Sequence, residues 1–155
     1  SRNFELGMIS NNIPYRIFGG ISYLRRKEIK DIIAYLRLVQ NTSDNLSLQR
    51  IINEPKRGIG KTSLDNIEAL SAQNGISMYE IIKKADAYGL NRVFANTREF
   101  ISVIEELRSK KDNMKISELI KEMLNKTGYT KALELENTVE AESRIDNNLR
   151  DKYGL

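Results

Sequence analysis

The sequence predicts a mainly α, bundle-like helical domain containing a helix–hairpin–helix turn, preceded by a short helix–strand piece of different character. Three observations predict it. Prolines are scarce, with only Pro14 and Pro55 in 155 residues, so little interrupts helical hydrogen bonding. Apolar residues recur at i, i+3, i+4 and i+7 over most of the chain after residue 25. Glycine and asparagine punctuate those stripes at Asn74-Gly75, Gly89 and Gly128, where helices are expected to stop.

Each element can be justified in order. Residues 1–10 read as a helix carrying Phe4, Met8 and Ile9, ended by Asn11-Asn12. Ile13–Phe18 mixes β-branched and aromatic residues and reads as a strand that Gly19-Gly20 breaks. Such a start followed only by helices suggests the edge of a different domain. Arg26–Val39 is a strong helix with Ile29, Ile32, Ile33 and Leu36 as its apolar stripe. Leu46–Ile52 is a short helix, with Asn45 or Ser47 as its cap, and Pro55 ends it. A helix resumes near Thr62 or Ser63 with Leu64, Ile67 and Leu70. Ser77 and Glu80 form a capping-box pattern before Ile81 and Ile82. Asn91–Lys111 is the longest helix, with a stripe of Leu90, Phe94, Ile101, Ile104 and Leu107. Ile116–Lys126 packs Leu119, Ile120 and Leu124, and Thr130–Leu149 is helical in composition with a ragged stripe.

Composition excludes several chemistries. The chain holds neither cysteine nor histidine, so disulfides, Ser–His triads and histidine-ligated zinc are ruled out for these residues. It has no run of eighteen apolar residues and no signal-peptide pattern at Ser1–Ser10, which gives a cytoplasmic setting by default and no membrane partner. Net charge is +4, but Tyr15–Thr62 carries ten cations against four acids. A positive region on a near-neutral body suits a contact with phosphates, or equally an ordinary solvated surface.

The motif of greatest interest is Pro55-Lys56-Arg57-Gly58-Ile59-Gly60-Lys61-Thr62. Gly60-Lys61-Thr62 imitates the end of a nucleotide-binding loop, yet that loop needs glycine where Pro55 stands, and a strand where a helix is expected. A backbone-gripping hairpin fits better. Gly58 and Gly60 allow close approach of backbone N–H groups, and the following helix adds its unpaired amides and positive dipole end. Lys56, Arg57 and Lys61 add positive charge, Thr62 caps or donates, and Ile59 turns inward as an anchor. Such a unit holds phosphates without reading bases. Its plain alternative is a helix–turn–helix connection with solvated lysines.

Other clusters carry less. Arg25-Arg26-Lys27 with Lys30 opens a helix, where the macrodipole disfavours cations unless a phosphate or an acidic neighbour compensates. Glu28 and Asp31 share a helix face amid lysines, and surface ion pairing is the expected reading. Glu134, Glu136, Glu140 and Glu142 form an acidic patch better explained by solvent or a domain contact than by metal. Tyr15, Phe18 and Tyr23 suit core or interface packing more than base stacking, and Tyr35 is expected in the core. No constellation supports a self-contained catalytic or metal centre.

Several ordered strings share one pattern: Asn12-Ile13-Pro14-Tyr15-Arg16-Ile17-Phe18-Gly19-Gly20, Arg26-Lys27-Glu28-Ile29-Lys30-Asp31, Ala34-Tyr35-Leu36-Arg37-Leu38 and Pro55-Lys56-Arg57-Gly58-Ile59-Gly60. Lys126-Thr127-Gly128-Tyr129 and Glu142-Ser143-Arg144-Ile145 continue it. Together they resemble the UvrD/PcrA type of superfamily 1 DNA helicase, most strongly over 12–60 and poorly over 91–115 and 149–155. The resemblance implies that residues 1–21 are the edge of the second RecA-like motor domain (2A), an α/β domain. Residues 22–155 would be the helical 2B subdomain, truncated at its C-terminal end. It implies contact with double-stranded DNA at a fork or junction through Lys56, Arg57, Gly58, Ile59, Gly60, Lys61 and Thr62, with Arg26, Lys27 and Lys30 as a further DNA-side segment. A second hairpin around Tyr88-Gly89-Leu90-Asn91 would be weakened by Asn91 in place of glycine. The remaining partners it implies are other helicase subdomains and regulatory proteins. ATP and Mg belong to the parent's motor domains, whose Walker loop, acidic pair and arginine fingers lie outside these residues. The segment alone would then neither hydrolyse ATP nor unwind DNA in the parent's 3′-to-5′ direction. The alternative is a helical docking module that regulates without touching DNA.

Overall fold

A computed structural model describes residues 24–154. The expected helix and strand over 1–18, the boundary near residue 21 and the aromatics Tyr15, Phe18 and Tyr23 lie outside the described residues. Within them every regular element is helical. The elements are α1 (Arg26–Gln40), α2 (Asn45–Ile51), α3 (Lys61–Asn74), α4 (Met78–Lys83), α5 (Asn91–Lys110), α6 (Ile116–Lys126) and α7 (Tyr129–Tyr153). Short 3-10 turns, Ala85–Tyr88 and Lys111–Asn113, lead into α5 and out of it.

Helix α1 lies at the centre and packs on α2, α5 and α6, while α3, α4 and α5 pack in succession and α6 turns back onto α7. Tyr35 sits at the middle of the core, fully buried, with Phe100 of α5 and Tyr129 of α7 meeting it edge-on at centroid distances of 6.4 and 6.1 Å. Burial of its apolar side chains, about 1.5–3 kcal/mol for each large one, drives this assembly.

The helix ends follow the expected chemistry with some shifts. Ser77 caps α4 by accepting the Glu80 amide at 3.2 Å. Gly75, Gly89 and Gly128 take positive φ at helix boundaries. The cap of α2 is Asp44, not Asn45 or Ser47; its carboxylate accepts the Ser47 amide at 3.1 Å and the Ser47 hydroxyl at 2.8 Å. A carboxylate at this position satisfies one orphan amide and also meets the helix dipole.

Two stripes are rotated from expectation. In α1 the deepest residues are Ile32, Tyr35, Leu38 and Val39, while Ile29 and Ile33 are half-buried. Glu28 and Asp31, expected at the surface, share the buried arc at 6% and 1% exposure. In α5, Val93, Thr97 and Phe100 are buried in addition to Ile101, Ile104 and Leu107, while Leu90 and Phe94 are half-buried. Thr97 is accommodated because its hydroxyl donates back to the Val93 carbonyl at 2.7 Å.

At the end of the bundle, Lys110 and Lys126 reach one Glu106 carboxylate oxygen at 2.8 Å each, and Glu122 at 3.2 and 2.5 Å. Hydrogen bonds from Lys110 and Lys126 pull the Glu106 carboxyl down to about 2. A depressed carboxylate stabilises the fold above its unfolded pKa and loses that contribution as pH falls. Chemical denaturation of the wild type and Glu106→Gln as a function of pH should therefore show wild-type midpoints falling more steeply between about pH 4.5 and 2. Parallel curves would exclude this clasp from acid sensitivity.

Candidate nucleic-acid interface

The turn between α2 and α3 alternates. Arg57 and Ile59 point inward, whereas Lys56, Gly58, Gly60, Lys61 and Thr62 are exposed. Ile59 is 2% exposed, as its anchoring role requires. Asn53 holds it from both sides: the side-chain amide donates to the Ile59 carbonyl at 2.6 Å, and the side-chain carbonyl accepts the Ile59 amide at 3.0 Å. Sequence reasoning missed Asn53. The signal was an asparagine just past a helix end, six residues before the anchor.

Arg57 is also part of the scaffold. One guanidinium nitrogen donates to the Ile51 and Ile52 carbonyls at 2.9 and 2.8 Å, satisfying the C-terminal end of α2. The other donates to the Tyr35 hydroxyl at 2.9 Å and reaches the Thr127 carbonyl at 3.5 Å. The guanidinium lies 4.4 Å from the Phe100 ring centroid, in cation–π range. The Tyr35 hydroxyl in turn donates to the Glu54 carbonyl. Burial raises the Tyr35 pKa, partly offset by the Arg57 charge, and its phenol is retained as a donor.

The two glycines serve different purposes. Gly58 has φ +72°, and a Cβ there would lie 3.2 Å from the Asn96 side-chain nitrogen. Gly60 has φ −77° and nothing within 4 Å of where a Cβ would sit, so its own fold imposes no need for glycine. Gly58→Ala is expected to cost about 1–2 kcal/mol. Gly60→Ala should stay within about 0.5 kcal/mol of wild type in urea denaturation. A reversed order would mean that the backbone of the turn is not strained at Gly58.

Helix α3 starts from Gly60 with no side-chain cap and no acid in its first turn. The amides of Lys61, Thr62 and Ser63 thus have no side-chain cap, and Lys61 and Thr62 are exposed on the same turn, while Lys56 lines a cavity shared with Asn96, Glu99 and Lys126. Lys61 pairs with Asp65 at 3.0 Å, but both side chains are well exposed, so a phosphate could displace that partner at little cost.

The second cationic cluster is divided by the fold. Arg26 and Lys30 are exposed and form no ion pair among the described residues. Lys27 is engaged, pairing with Asp31 at 2.8 Å and Glu54 at 3.1 Å. Burial works against its charge, but the hydrogen bonds it donates to Asp31 and Glu54, with their negative charge, outweigh it and hold the ammonium above its ordinary pKa. Asp31 also accepts Arg50 at 3.0 Å and the Tyr129 hydroxyl at 2.7 Å, so one buried carboxylate ties α1 to α2 and α7. Burial, then the Asp31 hydrogen bond and charge, raise the Tyr129 phenol far above its usual range. The expected surface pairing of Asp31 is thus corrected to a buried one. Its neighbour Glu28 accepts the Arg25 amide at 3.2 Å and closes the first turn of α1.

The hairpin expected at Tyr88-Gly89-Leu90-Asn91 is a 3-10 turn running into α5, with Gly89 at φ +75°. The acidic patch on α7 includes Glu140, which pairs with Arg25 at 2.9 Å. No group of three acidic side chains positioned to hold a metal occurs among the described residues. No described helix is long and apolar enough to cross a membrane.

The sequence is similar to known proteins. Two relatives, both named ATP-dependent DNA helicase PcrA, come from Staphylococcus aureus (strain NCTC 8325 / PS 47) and Staphylococcus epidermidis (strain ATCC 12228 / FDA PCI 1200). Each is 41% identical over 148 residues, covering 95% of this chain and 20% of the relative. The chain therefore spans about a fifth of the length of these relatives. The UvrD-like helicase C-terminal domain family matches residues 1–137, and the chain belongs to that family.

Proposed function

We propose that this chain is a duplex-contacting, regulatory segment of an ATP-dependent 3′-to-5′ DNA helicase. In this reading residues 1–21 are the edge of motor domain 2A, and residues 22–155 form the helical 2B subdomain. The α2–α3 connection acts as a helix–hairpin–helix unit on double-stranded DNA at a fork or junction. ATP and Mg are held by motor residues elsewhere in the parent, and this segment orients DNA without hydrolysing nucleotide.

One observation carries the reading: the turn is fixed from behind by Asn53, Arg57 and Ile59, and turns Lys56, Gly60, Lys61 and Thr62 to solvent. Outward lysines and the open N-terminal amides of α3 contact phosphates and leave bases unread. Arg57 serves that grip as a positioning residue, because its donors are committed to carbonyls behind the turn.

The test is titration of fluorescent duplex DNA against the chain at several salt concentrations. Affinity should be independent of sequence, and log K should fall linearly with log salt. Lys56→Ala/Lys61→Ala should flatten that slope by about two. Gly60→Ala should weaken binding while leaving stability unchanged, because a methyl group there obstructs only a ligand. Equal binding by the wild type and the lysine variant would remove the turn from the interface.

A further inference from the structure

We infer that the outer face of α1, with the α1–α2 groove beside it, is a docking surface for an acidic polypeptide segment carrying an aliphatic or aromatic side chain. Arg26, Lys30, Ile33 and Arg37 fall at i, i+4, i+7 and i+11, so they form one stripe along the helix. Arg26, Lys30 and Arg37 are exposed, and none forms an ion pair among the described residues. The stripe borders a groove of about 330 Å³ lined by Lys30, Ile33, Ala34, Arg37, Leu46 and Arg50. Leu46 stands at its rim with 80% of its surface exposed, the most exposed of the large apolar residues described.

The two halves of this surface ask for different things at once. Three cations without an ion pair among the described residues ask for carboxylates or phosphates. Leu46, with Ile33 and Ala34 beside it, asks for an apolar group that would remove its exposed surface from water. A phosphodiester backbone meets the first demand and leaves the second unmet, and the groove lining contains no aromatic ring on which a base would stack. A peptide with carboxylates flanking one large apolar side chain meets both. Arg50 contributes less charge than its position suggests, since its Nε already donates to Asp31 at 3.0 Å. The inference does not depend on the contact proposed for the turn, whose outward residues are Lys56, Gly60, Lys61 and Thr62, but it gives Arg26 and Lys30, which the resemblance put on the DNA side, to a peptide instead.

The test uses the ¹⁵N-labelled 155-residue chain and four probes: a glutamate–serine peptide with a central Leu-Phe pair, the same peptide with Ala-Ala at the centre, the same peptide with glutamine for glutamate, and a short DNA duplex. The first peptide should shift the amides of Lys30, Ile33, Arg37 and Leu46 and bind most tightly of the three peptides. Lys30→Glu/Arg37→Glu should weaken it about tenfold. Leu46→Ala, an exposed change that leaves the core intact, should weaken it about fivefold and have no effect on the Ala-Ala peptide. Duplex DNA occupying the stripe where the Leu-Phe peptide does not would overturn the inference in favour of a phosphate site. Shifts spread evenly over the chain's lysines, no shifts at the stripe, or indifference to Leu46 would overturn it outright. Loss of duplex binding in the Lys56/Lys61 variant bears on the turn alone.

Discussion

Arg57→Ala should destabilise the domain by about 3 kcal/mol, and Arg57→Lys should do nearly as much. The alanine variant leaves the Ile51 and Ile52 carbonyls without their donor, loosens Tyr35 and removes the cation over Phe100. Lysine restores the charge but not the planar fork that reaches two carbonyls and a phenol together. Thermal and urea denaturation of the three proteins measure this directly, with a loss of roughly 10 °C in midpoint expected. If Arg57 served chiefly as a phosphate contact, the lysine variant would retain stability within about 0.5 kcal/mol, and the salt dependence of DNA binding would flatten in Arg57→Ala. The positioning role predicts the opposite pair: lower affinity at an unchanged salt slope.

Asp31→Ala should cost about 3–5 kcal/mol, because removing one member of a buried ionic cluster leaves the others uncompensated. Asp31 is 1% exposed and accepts from Lys27, Arg50 and Tyr129. Asparagine keeps the shape and part of the hydrogen bonding, so Asp31→Asn should fall between alanine and wild type. Tyr129→Phe combined with Asp31→Asn should be less costly than the sum of the single changes, with a coupling of about 0.5–3 kcal/mol. Urea unfolding midpoints at an unchanged m value give the answer. Additive effects would mean that Asp31 and Tyr129 do not share an interaction.

The helices were legible in the sequence because their signals are local. Ile116–Lys126 begins and ends where its stripe and Gly128 placed it, and Ser77 caps α4 as its spacing indicated. What was not legible depended on residues far apart in the chain. Asp31 reads as a surface acid amid lysines, and only Arg50 and Tyr129, from α2 and α7, make its burial affordable. Arg57 reads as one of three cations in a basic turn. Its partners at Tyr35 and Thr127 are 22 and 70 positions away. The outward half of the turn was readable, since glycine, lysine and threonine at a helix start carry their own chemistry; of the half that fixes it in place, Ile59 was readable as the anchor, whereas Asn53 and Arg57 were not. Side-chain charge can be counted from a sequence, but whether that charge is already spent is a tertiary fact.

Helix α7 has its buried residues, Tyr129 and Thr130, at its first turn, and its apolar residues Leu135, Val139, Ile145, Leu149 and Tyr153 are exposed. Past Asn137, the Arg25–Glu140 ion pair is the tertiary hydrogen bond among the described residues that reaches it. Among the described residues, little besides the helix's own ladder therefore protects its later turns from solvent hydrogen, and a ladder without tertiary support opens from its end. Amide exchange along this one helix should run as a gradient, slowest beside Tyr129, where opening requires the whole core to come apart. It should be fastest toward Tyr153, where a single turn can unwind and re-form while the bundle stays folded.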